Sequence, residues 1–156
     1  MSANFRRDTV MSLDERAFTL IELVIIIVTL GIIAAVAVPK FVDLADSSRI
    51  NATKQEMMAL KRAIIGNPQA TAGGAYVDRG FEGDVGYPPS QLVDLVRRPD
   101  SIPPYDRLSR LGWNGPYIDS SGGDYLTDAW GTPYSYSPSL RRIVSTGGAD
   151  SIVVTF

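Results

Sequence analysis

The sequence predicts an α+β protein in which a long N-terminal helix, half transmembrane and half amphipathic, packs on a small antiparallel β-sheet. Residues 18–38 are apolar apart from one charged residue. Residues 53–64 repeat apolar side chains at helical spacing, and short β-branched or aromatic runs separated by turn residues follow near the C-terminus. Because apolar character is concentrated at one end, the pattern indicates a membrane segment followed by a small soluble domain.

The composition excludes several classes of chemistry. The chain has 156 residues with neither cysteine nor histidine, which excludes disulfides, thiolate metal sites, histidine bases and serine–histidine triads. Its 17 acidic residues outnumber its 15 basic ones, so no net positive field attracts nucleic acid. We therefore expect a protein that is not an enzyme and that binds no nucleic acid.

The apolar segment, residues 18–38, is long enough to cross a membrane but contains an acid. Its 21 residues include one charged side chain, Glu22, and as a helix they span about 32 Å. A carboxylate in a membrane-spanning helix costs a few kcal/mol, and more if it stays unpaired. Glu22 is therefore a candidate functional residue whose partner has to be identified.

Two simpler interpretations of this segment remain open. One is a plain membrane anchor. The other is a secretory signal peptide, with arginines before the apolar run and Ala35-Val36-Ala37 as a small-x-small cleavage site. Neither interpretation gives the Glu22 carboxylate a role.

Residues 18–41, FTLIELVIIIVTLGIIAAVAVPKF, resemble the N-terminal segment of type IV pilins and of type II secretion pseudopilins. The resemblance covers 24 residues. It rests on Phe18, the Thr-Leu-Ile-Glu string that ends at Glu22, Gly31 and Pro39. It implies a pilin-like fold in which the N-terminal helices of many subunits bundle into a filament.

The same resemblance implies how the segment is processed and used. A prepilin peptidase would cut between Ala17 and Phe18, and the new terminus would be N-methylated. Glu22 would then pair with the amine of a neighbouring subunit during assembly, which relieves the desolvation cost that each charge carries alone. Gly31 and Pro39 would weaken the helix, because glycine costs backbone entropy and proline lacks an N–H donor.

The leader departs from the family pattern in two ways. The family usually has glycine before the cut, whereas this chain has Ala17, which is also small. Residues 1–17 are long for such a leader, and Met11 offers an internal start that would shorten it. The sequence leaves starts at Met1 and at Met11 open.

The chain is expected to comprise four parts. These are a leader peptide at 1–17, the transmembrane and assembly half of the helix at 18–38, its amphipathic half at 39–65, and a globular domain at 66–156. In that domain the glycine- and proline-rich composition of residues 66–112 indicates a variable loop region, in which Ser90 caps a short helix. An antiparallel sheet should follow, with strands near residues 134–136, 143–144 and 152–154.

The amphipathic half of the helix carries one apolar stripe. Its members recur at helical spacing and are Thr53, Met57, Leu60 and Ile64. We expect this stripe to face the sheet while the opposite side meets water. Gly66-Asn67-Pro68 should end the helix, because the residue before a proline resists helical dihedral angles.

Two aromatic strings share the pattern W-x-x-P-Y, WNGPY at 113–117 and WGTPY at 130–134. Glycine and proline favour turns, and the aromatic side chains are expected to cover the edge of a core. These strings are similar to GPY and D-x-W-G-x-P-Y strings near the C-terminus of the major, G-type pseudopilin. The motif residues are Trp113, Gly115, Pro116, Tyr117, Asp128, Trp130, Gly131, Pro133 and Tyr134.

A calcium site is suggested only by the resemblance, because major pseudopilins often bind calcium through aspartates of a C-terminal loop. The candidates here are Asp119, Asp124, Asp128 and Asp150. Calcium requires six or more oxygen ligands, and this chain ends in apolar SIVVTF where such relatives carry further acids. We therefore expect solvated loop aspartates and no cofactor, with calcium as the alternative.

These observations favour a structural subunit of a type II secretion pseudopilus, anchored in the inner membrane with a cytoplasmic N-terminus and a periplasmic domain. The filament would be periplasmic or extracellular. The expected partners are copies of the chain, the prepilin peptidase, minor pseudopilins and the inner-membrane assembly platform. Two alternatives stay open: a type IV pilin for adhesion, motility or DNA uptake, and a secreted binding domain with an ordinary signal peptide.

Overall fold

The long N-terminal helix is the dominant element of the structure. The computed structural model describes residues 18–120 and 124–156, apart from the side chains of residues 75, 76 and 124. Helix α1 (Leu20–Ile65) has 46 residues, or about 69 Å of helix, and the chain divides into two compact units, Met1–Val42 and Asp43–Phe156. The predicted α+β class, a long N-terminal helix packed with small antiparallel sheets, is confirmed.

Short elements follow α1. They are β1 (Asn67–Ala72), β2 (Ala75–Asp78), α2 (Gly80–Val85), the 3-10 helices Leu92–Leu95 and Asp124–Leu126, β3 (Ser135–Ser137), β4 (Arg142–Ser145) and β5 (Ile152–Thr155). The last three strands form an antiparallel sheet with β4 in the middle, where Ile143 lies opposite Tyr136 on one side and Val154 on the other. The predicted C-terminal meander is confirmed.

The apolar stripe of α1 forms one wall of the core in the second unit. Thr53, Met57 and Ile64 are completely buried, and Leu60 and Ala63 nearly so. The other buried apolar residues of this cluster are Phe81, Leu92, Leu95, Ile102, Tyr134, Ile143 and Val154. The predicted stripe is confirmed, and Ala63 is a further member of it.

Helix α1 ends at Ile65, where the sequence predicts a stop. The next residue, Gly66, has φ of +77°, and a Cβ on it would collide with the carbonyl oxygen of Asp78. A Cβ on Gly80 would likewise collide with the Gly66 nitrogen. Glycine is required on both sides because the two backbones touch there.

The prediction that the strings GNPQATAGG (66–74) and GFEGDVGYPP (80–89) are loops is wrong in part, because β1 lies in the first and α2 in the second. Strands β1 and β2 form an antiparallel hairpin whose connection, Gly73-Gly74, has positive φ at both positions. Such two-residue connections favour Gly-Gly, so the sequence did carry a hairpin signal. The strands were missed because β1 buries none of its side chains fully, which leaves no alternation of apolar and polar residues to recognise.

The short helix expected after Ser90 is present as the 3-10 helix Leu92–Leu95, but its cap was predicted wrongly. Gln91 is the N-cap, and its backbone N–H donates to Asp94 Oδ2 at 3.0 Å. The Asp94 N–H donates to the Gln91 backbone carbonyl oxygen at 3.1 Å. Residues 91 and 94 therefore hold the first turn of this helix together by two hydrogen bonds.

Truncating the central strand tests this core. Ile143 is completely buried, so we expect Ile143→Ala to lower the free energy of unfolding by about 2–5 kcal/mol through lost burial and the cavity left behind. Val153→Ala, on the exposed side of β5, should change it by less than about 0.5 kcal/mol. Urea unfolding of residues 43–156 measures both, and equal losses would contradict this assignment of the core.

Candidate functional site

Glu22 lies in the first turn of α1, which Thr19 caps. The Glu22 N–H donates to Thr19 Oγ1 at 3.2 Å, and the Leu23 N–H donates to the Thr19 carbonyl oxygen at 3.2 Å. The partial positive charge at a helix N-terminus favours a carboxylate there by about 0.3–1 kcal/mol. The helix therefore begins at Leu20, two residues later than predicted, and Phe18 lies outside it.

Hydrogen bonds within the helix satisfy the other polar side chains of residues 18–38 but not the Glu22 carboxylate. The Thr29 hydroxyl lies 2.9 Å from the carbonyl oxygens of both Ile25 and Ile26, and the Thr19 hydroxyl accepts the cap bond. No basic side chain in the described part of the chain forms an ion pair with Glu22. In apolar surroundings this carboxylate needs a cation from outside those residues.

The apolar side chains of this segment are exposed on every side of the helix. Leu20 is 82% exposed, and Ile33, more than three turns later, is 63% exposed. The helix is long and apolar enough to cross a membrane. A helix that is apolar on every side is buried in the functional protein, either in lipid or among other helices.

Gly31 and Pro39 both lie inside α1, which is unbroken at both positions. No atom lies within 4 Å of a Cβ built on Gly31, so close packing does not explain this glycine. Pro39 has no N–H, so the carbonyl oxygen of Ala35 lacks its helical hydrogen bond. Both residues weaken the helix, and their role in assembly stays a prediction.

The first aromatic string, 113–117, packs edge-on inside the second unit. The Trp113 and Tyr117 rings meet at nearly right angles with centroids 5.9 Å apart, and Trp113 Nε1 donates to the Asp94 carbonyl oxygen at 2.9 Å. A Cβ on Gly115 would lie 2.7 Å from the Trp113 ring and 2.8 Å from the Tyr117 ring. Gly115 is therefore required for this contact, and the bond to Pro116 that follows it is cis.

The second string, 130–134, follows Asp128 through a turn. Gly131 has φ of +80°, and its N–H donates to the Asp128 carbonyl oxygen at 2.8 Å. Beyond Pro133, the buried Tyr134 donates its hydroxyl to Glu56 of α1 at 2.8 Å. The two strings share a sequence pattern but differ in structure. In the first, two aromatic rings pack against each other, whereas the second connects the sheet to the helix.

The Asp128 carboxylate is the centre of this second turn and is 4% exposed. Its Oδ1 accepts the N–H groups of Trp130 at 3.0 Å and Thr132 at 2.8 Å. Its Oδ2 accepts the Ser145 hydroxyl at 2.6 Å and the Gly147 N–H at 3.0 Å. One side chain thus joins the WGTPY turn to the end of β4 and the loop after it.

The helix is joined to the same turn by a buried hydroxyl. Thr53 is completely buried, and its Oγ1 accepts the Ala129 N–H at 3.1 Å. Because Ala129 follows Asp128 directly, α1 and the sheet are held by adjacent residues. Helical spacing places Thr53 in the buried stripe, but it does not reveal this hydrogen bond, whose partner is 76 positions away.

The described aspartates among the calcium candidates are not grouped as such a site would require, and Asp128 is buried where a solvated side chain was expected. Asp128 already accepts four hydrogen bonds, Asp150 lies in an exposed loop, and Asp119 is exposed on another loop. The side chain of Asp124 lies outside the described residues. Within residues 18–120 and 124–156 no three acidic side chains are placed to hold a metal ion, and calcium requires more oxygen ligands than that.

Sequence reasoning also missed two charged groups beside the core. Arg141 makes two hydrogen bonds to the Glu82 carboxylate, at 2.8 and 2.9 Å, and donates from Nε to the Phe156 carbonyl oxygen at 2.7 Å. Buried Asp84 lies 3.2 Å from the Tyr117 hydroxyl, and burial raises the pKa of its carboxyl. Glu82 and Arg141 are 59 positions apart, so no local pattern could have paired them.

The Asp128 hydrogen bonds make stability depend on pH. Burial by itself would raise the pKa of Asp128, but the hydrogen bonds, from Ser145 first and then Thr132, Trp130 and Gly147, outweigh it and lower that pKa. Stabilisation by a carboxylate with a lowered pKa is complete above the unfolded-state value of about 3.9 and is lost as pH falls through the folded one.

We expect Asp128→Asn to destabilise residues 43–156 by about 1–3 kcal/mol at neutral pH, because the amide NH₂ would face donors. The difference in unfolding free energy between the two proteins should shrink as the pH falls below about 4. The other carboxylates contribute equally to the unfolding free energy of both proteins, so their contributions cancel in this difference. They include Asp84, whose raised pKa gives the opposite pH dependence. A difference that stays constant down to pH 2 would contradict the assigned role.

Comparison with known proteins gives several relatives. The chain is 28% identical over 125 residues to the type II secretion system core protein G of Pseudomonas aeruginosa, covering 79% of this chain and 73% of that protein. It is 31% identical over 84 residues to fimbrial proteins of Pseudomonas aeruginosa, covering 51% of this chain and 53% of theirs. No protein-family model and no solved structure matches the chain.

A further match is shorter and has a higher identity. The chain is 61% identical over 33 residues to the type IV narrow pilus major component PilA5 of Thermus thermophilus, which is 21% of this chain and 28% of that protein. All these relatives carry the names of filament or secretion proteins, and none is named as an enzyme. Together with the long helix packed on small antiparallel sheets, these similarities support a place for the chain in the type IV pilin and pseudopilin family.

Proposed function

We propose that this chain is a structural subunit of a type II secretion pseudopilus, polymerised through its N-terminal helix to help export folded proteins. The observation that carries this proposal is one carboxylate, Glu22, without a cation among the described residues, inside a helix that is apolar and exposed all round. A lone buried acid is unfavourable in lipid, and a bundle of identical helices gives it both an apolar environment and a partner.

The partner of Glu22 is the α-amino group that cleavage before Phe18 creates. A prepilin peptidase cuts between Ala17 and Phe18, and the new terminus is N-methylated. An α-amino group is normally protonated near neutral pH, and Phe18 lies four residues before the acid in the sequence. In the bundle, Glu22 of one subunit meets the amine of the next, which fixes the axial register of the two helices.

The second unit follows the membrane segment into the periplasm. The subunit crosses the inner membrane once with its N-terminus in the cytoplasm. Minor pseudopilins and an inner-membrane assembly platform start and extend the filament. The apolar surface of residues 18–38 serves twice, first against lipid and then against other subunits, because both surroundings exclude water.

The similarity to core protein G favours the pseudopilus over a type IV pilus. That match extends over 79% of this chain, whereas the PilA5 match extends over 21% of it. The 61% identity to PilA5 keeps a pilus role as the second candidate. Deleting the gene distinguishes the two, since a pseudopilus subunit is required for protein secretion and a pilus subunit for surface fibres.

The role of Glu22 is tested by removing its charge. We expect Glu22→Gln and Glu22→Ala to leave membrane insertion intact but to lower filament yield at least about tenfold, because the amine would lose its partner in a dry bundle. Electron microscopy of sheared filaments and membrane fractionation measure the two effects.

Asp43→Asn is the matched control, because Asp43 is an exposed acid of the same helix that lies beyond the apolar segment. It should assemble like the unaltered protein. Filaments of Glu22→Gln in normal amount, with the chain in the membrane, would overturn the proposed role of this carboxylate.

A further inference from the structure

The described surface of the second unit has a rigid turn with an apolar tip. Leu108 is 93% exposed and Leu111 is 52% exposed. The Asp106 carboxylate accepts the N–H groups of Leu108 at 3.0 Å and Ser109 at 3.2 Å, and the Asp106 N–H donates to the Leu111 carbonyl oxygen at 2.9 Å. These bonds hold the side chain of Leu108 out in water at the tip of an ordered turn. We call residues 106–111 the tip.

The tip carries more positive than negative charge. Arg107 and Arg110 are both exposed, and the carboxylate of Asp106 is the one acid among the six residues. At the base of the tip, Arg79 Nη1 donates to the Arg110 carbonyl oxygen at 2.8 Å, but this guanidinium is paired with the Asp84 carboxylate at 3.7 Å and adds no free charge to the tip. The tip therefore presents leucine side chains among basic ones.

A groove of about 500 Å³ lies elsewhere on the same unit, and it is mainly apolar. Ile50 and Val153 are exposed in its lining, and Trp130 is half-buried there. Its charged side chains are Asp46, Lys54 and Asp150, so the acids exceed the bases by one. Asp46 also lies 3.5 Å from Arg49, but an exposed pair of this kind contributes little and leaves the carboxylate open to a second cation.

The tip and the groove lie at different levels along α1. The Gly112 N–H, next to the tip, donates to the Asp84 carbonyl oxygen at 2.8 Å, and residues 79–84 begin where Gly80 touches Gly66 at the end of α1. The groove is built on α1 around Ile50, 15 residues earlier, or about 22 Å along the axis. Because the two surfaces are separated along the axis, the tip of one subunit does not lie in the groove of the same subunit. A contact between tip and groove would therefore join two different copies.

We propose that the tip of one copy docks in the groove of the next copy along the filament. Leu108 enters the apolar lining, and Arg107 and Arg110 lie near Asp46 and Asp150. The charges of the two surfaces are complementary, and the preformed turn reduces the entropy cost of docking. Because the contact joins two different surfaces, it is repeated from copy to copy, and in a filament the rotation between copies does not close it into a ring. This inference rests on the proposed function as a filament subunit.

Cysteine cross-linking tests the contact directly, because the chain contains no cysteine of its own. A chain with both Leu108→Cys and Val153→Cys should give a ladder of dimers, trimers and longer products when its filaments are treated with a short bismaleimide. Each single variant should give none of the longer products. Leu140→Cys with Val153→Cys is the matched control, since Leu140 is 60% exposed but belongs to neither surface. It should give no ladder.

Charge reversal gives a measurement that does not depend on cysteines. Arg107→Glu with Arg110→Glu should lower filament yield several-fold, and adding Asp46→Lys and Asp150→Lys should restore it. A ladder together with this rescue supports the contact. Normal filaments that give neither the ladder nor the rescue overturn it and leave the proposed function standing. If the unaltered chain makes no filaments, the proposed function and this inference both fail.

Discussion

Helix α1 has to suit two kinds of surroundings along its 46 residues. Its first part is apolar on every side, and its second part buries one stripe from Thr53 to Ile64 against the core of the second unit. The stripe is satisfied inside the subunit, whereas the all-round apolar surface is covered only by lipid or by other helices. The second unit therefore buries its own core, whereas the apolar part of the helix has to be covered from outside the subunit.

The second unit holds that helix through a small number of buried polar contacts. Asp128 satisfies four donors from the turn and the sheet, and the next residue, Ala129, donates to Thr53 of α1. Glu56 accepts the Tyr134 hydroxyl on the same side. A buried polar group in a closed set of hydrogen bonds fixes one arrangement, because any shift leaves a donor unpaired. The position of the sheet on the helix is therefore fixed by directional hydrogen bonds as well as by apolar contact.

The fold class, the end of α1, its buried stripe and the last three strands could be predicted from the sequence, because each depends on local spacing or on glycine and proline. Strand β1 of the hairpin could not be predicted in the same way, since none of its residues is fully buried and NPQATA shows no apolar–polar alternation. The importance of Asp128 as an acceptor was hidden for another reason. Its donors Ser145 and Gly147 are 17 and 19 positions away, and only the folded sheet brings them to it.

In the proposed function, Glu22 is tolerated because cleavage supplies a positive terminus for it to meet. Mass spectrometry of the protein isolated from filaments identifies its first residue and so tests this pairing. We expect N-methylated Phe18. A first residue of Val38, as an ordinary signal peptide would leave, or an uncleaved chain in the filaments, would contradict it.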